Sequence, residues 1–257
     1  VDFSFELFYK IILFTLGGAA AGVINTLAGN GTVITLPILV FLGLNPQTAN
    51  GTNRVGVIMQ GVVSFSSLRA QQSYPLRKYL ILIIPCLLTA TAGAYTASIT
   101  DPKIFNKILA FVMVLMLYLV LQKPEKWLRD SYEVEWDMAK KIKLLLAFVL
   151  LGFYGGFIQA GMGVLMLITL VLLGDVPVKE ANSVKALIIV LINIPAITVF
   201  IFQGQVHWLF GLLMGAGQSL GAWLTVKFLM NKPSAGIWVK RALIVMISLA
   251  IIKFAFF

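Results

Sequence analysis

Acidic residues are scarce in this 257-residue chain, and none of the ten falls inside a long apolar run. Asp2, Glu6, Asp101, Glu125, Asp130, Glu133, Glu135, Asp137, Asp175 and Glu180 all lie in presumed loops or at segment ends. An intramembrane sodium site or proton relay of the usual kind needs a carboxylate at depth, so neither is expected. Cys86 is the only cysteine and stands in an apolar run, which excludes an intramolecular disulfide and a cysteine-held zinc and leaves packing as its expected role. His207, the only histidine, sits beside Trp208 at a segment end, where it reads either as an interfacial residue or as a proton relay. No set of His, Cys or carboxylate groups is available for a metal or for acid-base work. GxSxG, HExxH and a glycine-lysine phosphate loop are also absent. The expectation is a protein that is not an enzyme and holds neither metal nor cofactor.

What is there is hydrocarbon. The chain is 60% hydrophobic and 12% charged, with a mean hydropathy of +0.95, far outside the range of a soluble domain. The net charge of +10 comes from Lys and Arg flanking apolar spans. Such cations report membrane orientation and anionic headgroups rather than nucleic acid. The opening residues show no basic n-region followed by a cleavage site, so the first apolar run is expected to be a mature span rather than a signal peptide.

Two similar halves are legible, residues 1–121 and 144–257, joined by a hydrophilic linker at 122–143 whose Trp127, Tyr132 and Trp136 suggest an amphipathic piece at the interface. The first half offers Phe5 to Leu27, the short Val33 to Leu42, Asn53 to Leu68, Tyr79 to Ser98 and Ile104 to Leu121. The second offers Leu144 to Gln159, the short Val164 to Leu173, Val184 to Phe202, Trp208 to Leu229 and Trp238 to Phe256. The predicted fold is an all-α polytopic membrane protein of two homologous repeats, each with four full-length helices and one short helix after a glycine-rich break. If the short helices re-enter, the repeats are parallel; if they complete a crossing, the repeats are inverted. Counting the short segments as crossings gathers most cations on one side, which favours inverted repeats with both termini outside.

The breaks carry the functional reading. Ala28-Gly29-Asn30-Gly31-Thr32 interrupts the first half, and Ala160-Gly161-Met162-Gly163 the second. Backbone released from helical pairing at membrane depth is tolerated only where protein or water satisfies it, and paired interruptions point to a transporter's binding site. A helix starting after such a break offers free N–H groups to an anion, with Asn30 and Thr32 as added donors. Close packing accounts for most other glycines, among them Gly18, Gly22, Gly152, Gly156 and Gly221. Gly51-Thr52-Asn53-Arg54 and Asn182-Ser183-Val184-Lys185 each read as the end of a polar loop with a cation in the first turn of the following span. A cation beside a positive helix end wants a negative partner, which a bound anion would supply; snorkelling to the headgroups is the competing account. Asn25, Gln60, Ser64, Gln159, Asn193 and Gln218 are further polar residues inside apolar spans. Singly each is more often a helix bridge, but as a group they could line a pathway.

The stretch AGVINTLAGNGTVITLPILVFLGLNPQTANGTN resembles the first-half signature of the TauE/SafE family of anion exporters, and GFYGGFIQAGMGVLMLITLVLLGDVPVKEANSVK resembles its second copy. The resemblance implies export of sulfite or a related organosulfur anion such as sulfoacetate across the bacterial inner membrane. By position it places the substrate near Asn30, Gly31, Thr32, Thr52, Asn53, Met162, Gly163, Asn182 and Ser183, to which the electrostatic argument adds Arg54 and Lys185. Two departures stand out: many members carry a glycine run where this chain has Asn30 and Thr32, and Met162 replaces a polar residue. The expected partners are a small anion and the lipid bilayer, with homo-oligomerisation open. An importer or channel for another anion, or a membrane scaffold, are the rival readings.

Overall fold

The computed structural model describes residues 5–71, 74–121 and 136–230, together with 241, 244–245 and 247–248. Among them there is helix and no strand. Most of the linker, and most of the expected last segment, Trp238 to Phe256, lie outside the described residues.

The first helix, α1 (Phe5–Ala28), ends where Gly29 turns left-handed at φ +69°. The short α2 (Thr32–Phe41) follows, about 15 Å long and so half a hydrocarbon core. After Gly43 comes α3 (Pro46–Gln71). Its start departs from the expected span, which began only at Asn53: the helix is capped at Asn45-Pro46. Asn45 Oδ1 accepts the Thr48 N–H at 2.8 Å, and Pro46 opens the first turn, where its missing donor costs nothing. Asn45→Ala is expected to lower stability by about 1 kcal/mol, read from the unfolding midpoint in detergent. A 3₁₀ turn (Leu76–Tyr79) leads into α4 (Leu80–Ile99). Helix α5 (Pro102–Leu121) is capped by Asp101, whose carboxylate accepts the Lys103 N–H at 2.8 Å.

Asp137 caps α6 (Met138–Phe157), which begins inside the stretch read as linker. The second break separates it from α7 (Met162–Ile168), which runs on as a π turn (Thr169–Leu173). Then come α8 (Val178–Phe202) and α9 (Trp208–Leu224), the latter continuing as a π turn (Thr225–Leu229). His207 is the residue before α9, its Nδ1 accepting the Phe210 N–H and its ring stacked on Phe210 at 3.8 Å.

Packing pairs the halves. Helix α1 lies along α9 as α6 lies along α4; α3 packs on α9 as α8 packs on α4; α3 and α8 meet at the centre. The glycine stripes are what let the outer pairs close. A Cβ on Gly22 would stand 2.1 Å from the Gln218 carbonyl oxygen, and one on Gly156 2.0 Å from that of Ala90. Outward, Leu88, Phe111, Leu150 and Phe202 are among many large apolar side chains left exposed, a surface suited to lipid and costly in water.

Among the described residues, five helical stretches can cross a membrane by length and composition: Ile11–Ala28, Leu76–Ile99, Pro102–Leu119, Val178–Phe202 and Trp208–Leu229. The chain is a multi-pass membrane protein. Helix α3 is long enough but too polar for that set, and the reason is its position. Residues 49–57 are all buried, so along that stretch its neighbours are protein rather than lipid. Glu180, in the first turn of α8, is buried too, where Tyr79 Oη donates to it at 2.8 Å and Lys78 Nζ pairs with it at 2.9 Å.

Candidate functional site

The two breaks touch. In the first, Gly29 takes φ +69°; in the second, Gln159 and Gly161 take φ +60° and +72°. A Cβ built on Gly29 would lie 2.5 Å from the Gly163 carbonyl carbon, and one on Gly163 2.6 Å from Gly29 Cα. Only glycine at both positions permits this approach. Beside the contact sit two buried amides, Asn30 and Gln159, and neither has a protein partner for its side-chain oxygen or nitrogen. Buried polar groups are nearly always paired, and leaving one unpaired costs about 1–3 kcal/mol. Two such residues at one place mark a site for water or a ligand.

Around them, the residues singled out from sequence separate into groups. Gly31 precedes α2 and donates its N–H to Asn25 Oδ1 at 3.2 Å, so this helix end is partly satisfied within the protein. Thr32 Oγ1 accepts from Asn53 Nδ2 at 3.4 Å, and Thr35 Oγ1 donates to Asn53 Oδ1 at 2.5 Å, binding α3 to α2. Met162 is buried against Gly155. Thr52 faces elsewhere, accepting the His207 N–H at 2.9 Å. Ser183 is buried in α8.

The cations are not where the first-turn argument put them. Because α3 starts at Pro46 and α8 at Val178, Arg54 and Lys185 each stand about two turns inside a helix. The macrodipole therefore gives no reason for an anion at either. Arg54 is fully buried and lies over the Phe200 ring at 5.0 Å. Its guanidinium donates to the Gly155 carbonyl at 3.3 Å, to the Gly156 carbonyl and to Asn193 Oδ1 at 3.0 Å. Gly155 and Gly156 belong to the last turn of α6, whose carbonyls have no partner within the helix. Asn50, one turn before Arg54, takes the Phe157 carbonyl at 2.7 Å. One face of α3 thus closes the negative end of α6.

Lys185 is equally buried but less occupied. Its Nζ donates to Asn182 Oδ1 at 2.8 Å, which accounts for one of three donors. It borders a cavity of about 20 Å³ between α1, α3 and α8, lined also by Asn25, Thr26, Gln60, Ser64 and Asn182. Asn25 Nδ2 donates to Gln60 Oε1. Gln60 Nε2 donates to Thr26 Oγ1 at 3.3 Å and to Ser64 Oγ at 3.2 Å, and Thr26 Oγ1 donates to the Gly22 carbonyl at 2.8 Å. Asn25, Gln60 and Ser64 had stood out in the sequence only as members of a polar group, and Thr26 had not. The one-turn spacing of Gln60 and Ser64 was the available signal; the partner face on α1 was not readable without the packing.

Among the described residues no cluster of His, Cys, Asp or Glu is arranged to hold a metal ion. Residues 14–254 match the family described as Sulfite exporter TauE/SafE. A probable membrane transporter protein, ORF9 of Sinorhizobium sp, is 29% identical over 96% of this chain and 92% of its own length. A probable membrane transporter protein of Haemophilus influenzae is 31% identical, covering 86% of this chain and 85% of that one. The probable membrane transporter protein YfcA of Escherichia coli is 24% identical over 82% and 78% respectively. No solved structure gives a significant match.

Proposed function

The chain belongs to the Sulfite exporter TauE/SafE family and is a multi-pass membrane transporter of the bacterial inner membrane, and from that premise we propose that it exports a small sulfur-containing anion, sulfite or an organosulfonate such as sulfoacetate. The observation that carries the reading is the contact of the two broken helices at Gly29 and Gly163, with Asn30 and Gln159 buried and unpartnered beside it. Transport proceeds by rocking of two inverted repeats about this contact. Among the described residues Arg54 and Lys185 are buried cations without a carboxylate partner, so the interior is electrostatically set for an anion. Among the described residues no buried carboxylate stands beside the breaks, and Glu180, which is buried, is already held by Lys78 and Tyr79. Export therefore runs on the anion's own gradient and on the membrane potential, which favours exit by about 2.3 kcal/mol per charge per 100 mV.

The test is a melting panel on the purified chain with sulfite, thiosulfate, sulfate, sulfoacetate, taurine and chloride. A ligand at about 100 times its Kd adds roughly 2.7 kcal/mol to the folded state. A sulfur anion that raises the midpoint, with efflux of the same anion from proteoliposomes, supports the proposal. A panel without any shift, together with proteoliposomes that retain every sulfur anion, overturns it.

A further inference from the structure

We propose that the anion is seated in the cavity between α1, α3 and α8 with Lys185 as its counter-charge, and that the other buried cation, Arg54, is a strut that never meets substrate. This rests on the transporter reading above and adds the seat and the size class of the ligand.

The donor inventory separates the two cations. Arg54 spends both terminal nitrogens on α6 carbonyls and Asn193, leaving only its Nε–H without a partner. Lys185 has one protein acceptor, Asn182, and borders open space. Asn25 and Ser64, on the same space, can also donate. Thr26 sends its own proton to Gly22, so its oxygen is an acceptor for Gln60 and for Ser64, which lies 3.3 Å away. Ser64 is thus free to turn its hydroxyl hydrogen either to Thr26 or into the cavity. Asn25 has a second amide hydrogen beyond the one given to Gln60. A buried ammonium, amide and hydroxyl hydrogens, and no carboxylate form a seat for one small anion carrying a single charge.

Size narrows the class. A space of about 20 Å³ for water centres holds one or two waters, so the smallest oxyanions, such as hydrogen sulfite, are favoured over a sulfonate with a carbon chain. The seat also reaches the break. The Asn25 amide that faces the cavity accepts the Gly31 N–H with its oxygen, so an anion that turns this amide alters the support of α2. Occupancy and the geometry of the broken helix are linked through one side chain.

The experiment compares the full chain with Lys185→Met, Lys185→Arg and Ser64→Leu, using sulfite melting shifts in detergent and sulfite efflux from proteoliposomes. Lys185→Met is expected to abolish the sulfite shift and lower efflux at least tenfold, with Lys185→Arg keeping part of both. Ser64→Leu fills the cavity without touching the charge and is expected to give the same loss. It decides the matter if Lys185→Met does not fold. The parent is expected to respond to sulfite at concentrations where sulfoacetate and taurine give no shift. If the parent binds and exports sulfite while Ser64→Leu does so unchanged, the seat is elsewhere and the proposed function still stands. If the parent responds to no anion and exports none, the function reading fails first and takes this proposal with it.

Discussion

Arg54→Ala lowers the unfolding free energy of the full chain by an expected 3 kcal/mol or more, roughly, and Arg54→Lys recovers less than half of that loss. Two effects oppose each other here. Removing a buried guanidinium relieves the cost of desolvating it, which favours the variant. Against this, the Gly155 and Gly156 carbonyls and Asn193 Oδ1 lose their donor in a dry interior, at about 1–3 kcal/mol for each acceptor left unpaired. The Phe200 ring loses its cation, and the truncated side chain leaves a void. Three stranded acceptors outweigh the relief of one charge, because that charge was already dispersed over neutral partners. Lysine cannot span the acceptors with a planar fork, so the charge alone does not rescue. The unfolding midpoint in detergent checks this. A variant that melts like the parent would show that α6 does not depend on Arg54, and would return Arg54 to the list of substrate ligands.

The same residue shows what the sequence could and could not convey. Its unusual placement in an apolar chain was legible, as were the breaks at Asn30 and Met162 and the asparagine-proline and aspartate-proline punctuation. The error lay in where α3 begins. Asn45-Pro46 reads equally as an interruption or as a cap followed by a tolerated proline, and taking it as an interruption moved the helix start past Asn50 to Asn53. That shift put Arg54 in a first turn and supplied a dipole argument for a substrate role. With the cap at Asn45, Asn50 and Arg54 fall one turn apart on one face, and their common target is the end of α6, about a hundred residues away in sequence. Hydropathy failed on α3 for a related reason. It scores a helix against lipid, whereas residues 49–57 of this helix are buried in protein and its exposed residues, such as Val62, come later.

The cavity was legible only in part. Lys185 and Asn182 stood out because they follow a polar loop, whereas Asn25, Gln60 and Ser64 looked like scattered amides and hydroxyls in three places. Nothing local says that these faces converge. Convergence requires α1 to approach α3, and the path of α1 is set by the glycine stripe against α9. Glu180 illustrates the converse. Its place at a segment end is legible in the sequence, but its burial depends on Tyr79 and Lys78 arriving from the other half.

At the centre of the molecule, Gly29→Ala is expected to cost about 3 kcal/mol or more, from about 1–2 for a left-handed residue gaining a Cβ and about 1–3 for the overlap with Gly163. Gly163→Ala carries the overlap alone, so about 2 kcal/mol is expected. The atoms in the way are backbone in both cases, and no rotamer change can clear them. Gly204→Ala provides the control: its φ is +66°, but no atom lies within 4 Å of the added methyl. About 1–2 kcal/mol is expected there, the conformational term by itself. The double variant Gly29→Ala with Gly163→Ala is the sharper measurement. Both methyl groups enter one gap, so a single separation of the breaks relieves both, and the pair should cost less than the sum of the singles. Strict additivity in detergent unfolding would mean that the two glycines do not share a contact, and the rocking contact proposed for transport would then lose its hinge. Sub-additivity, with sulfite efflux lost already in Gly163→Ala while that chain stays folded, ties the close approach to transport rather than to folding alone.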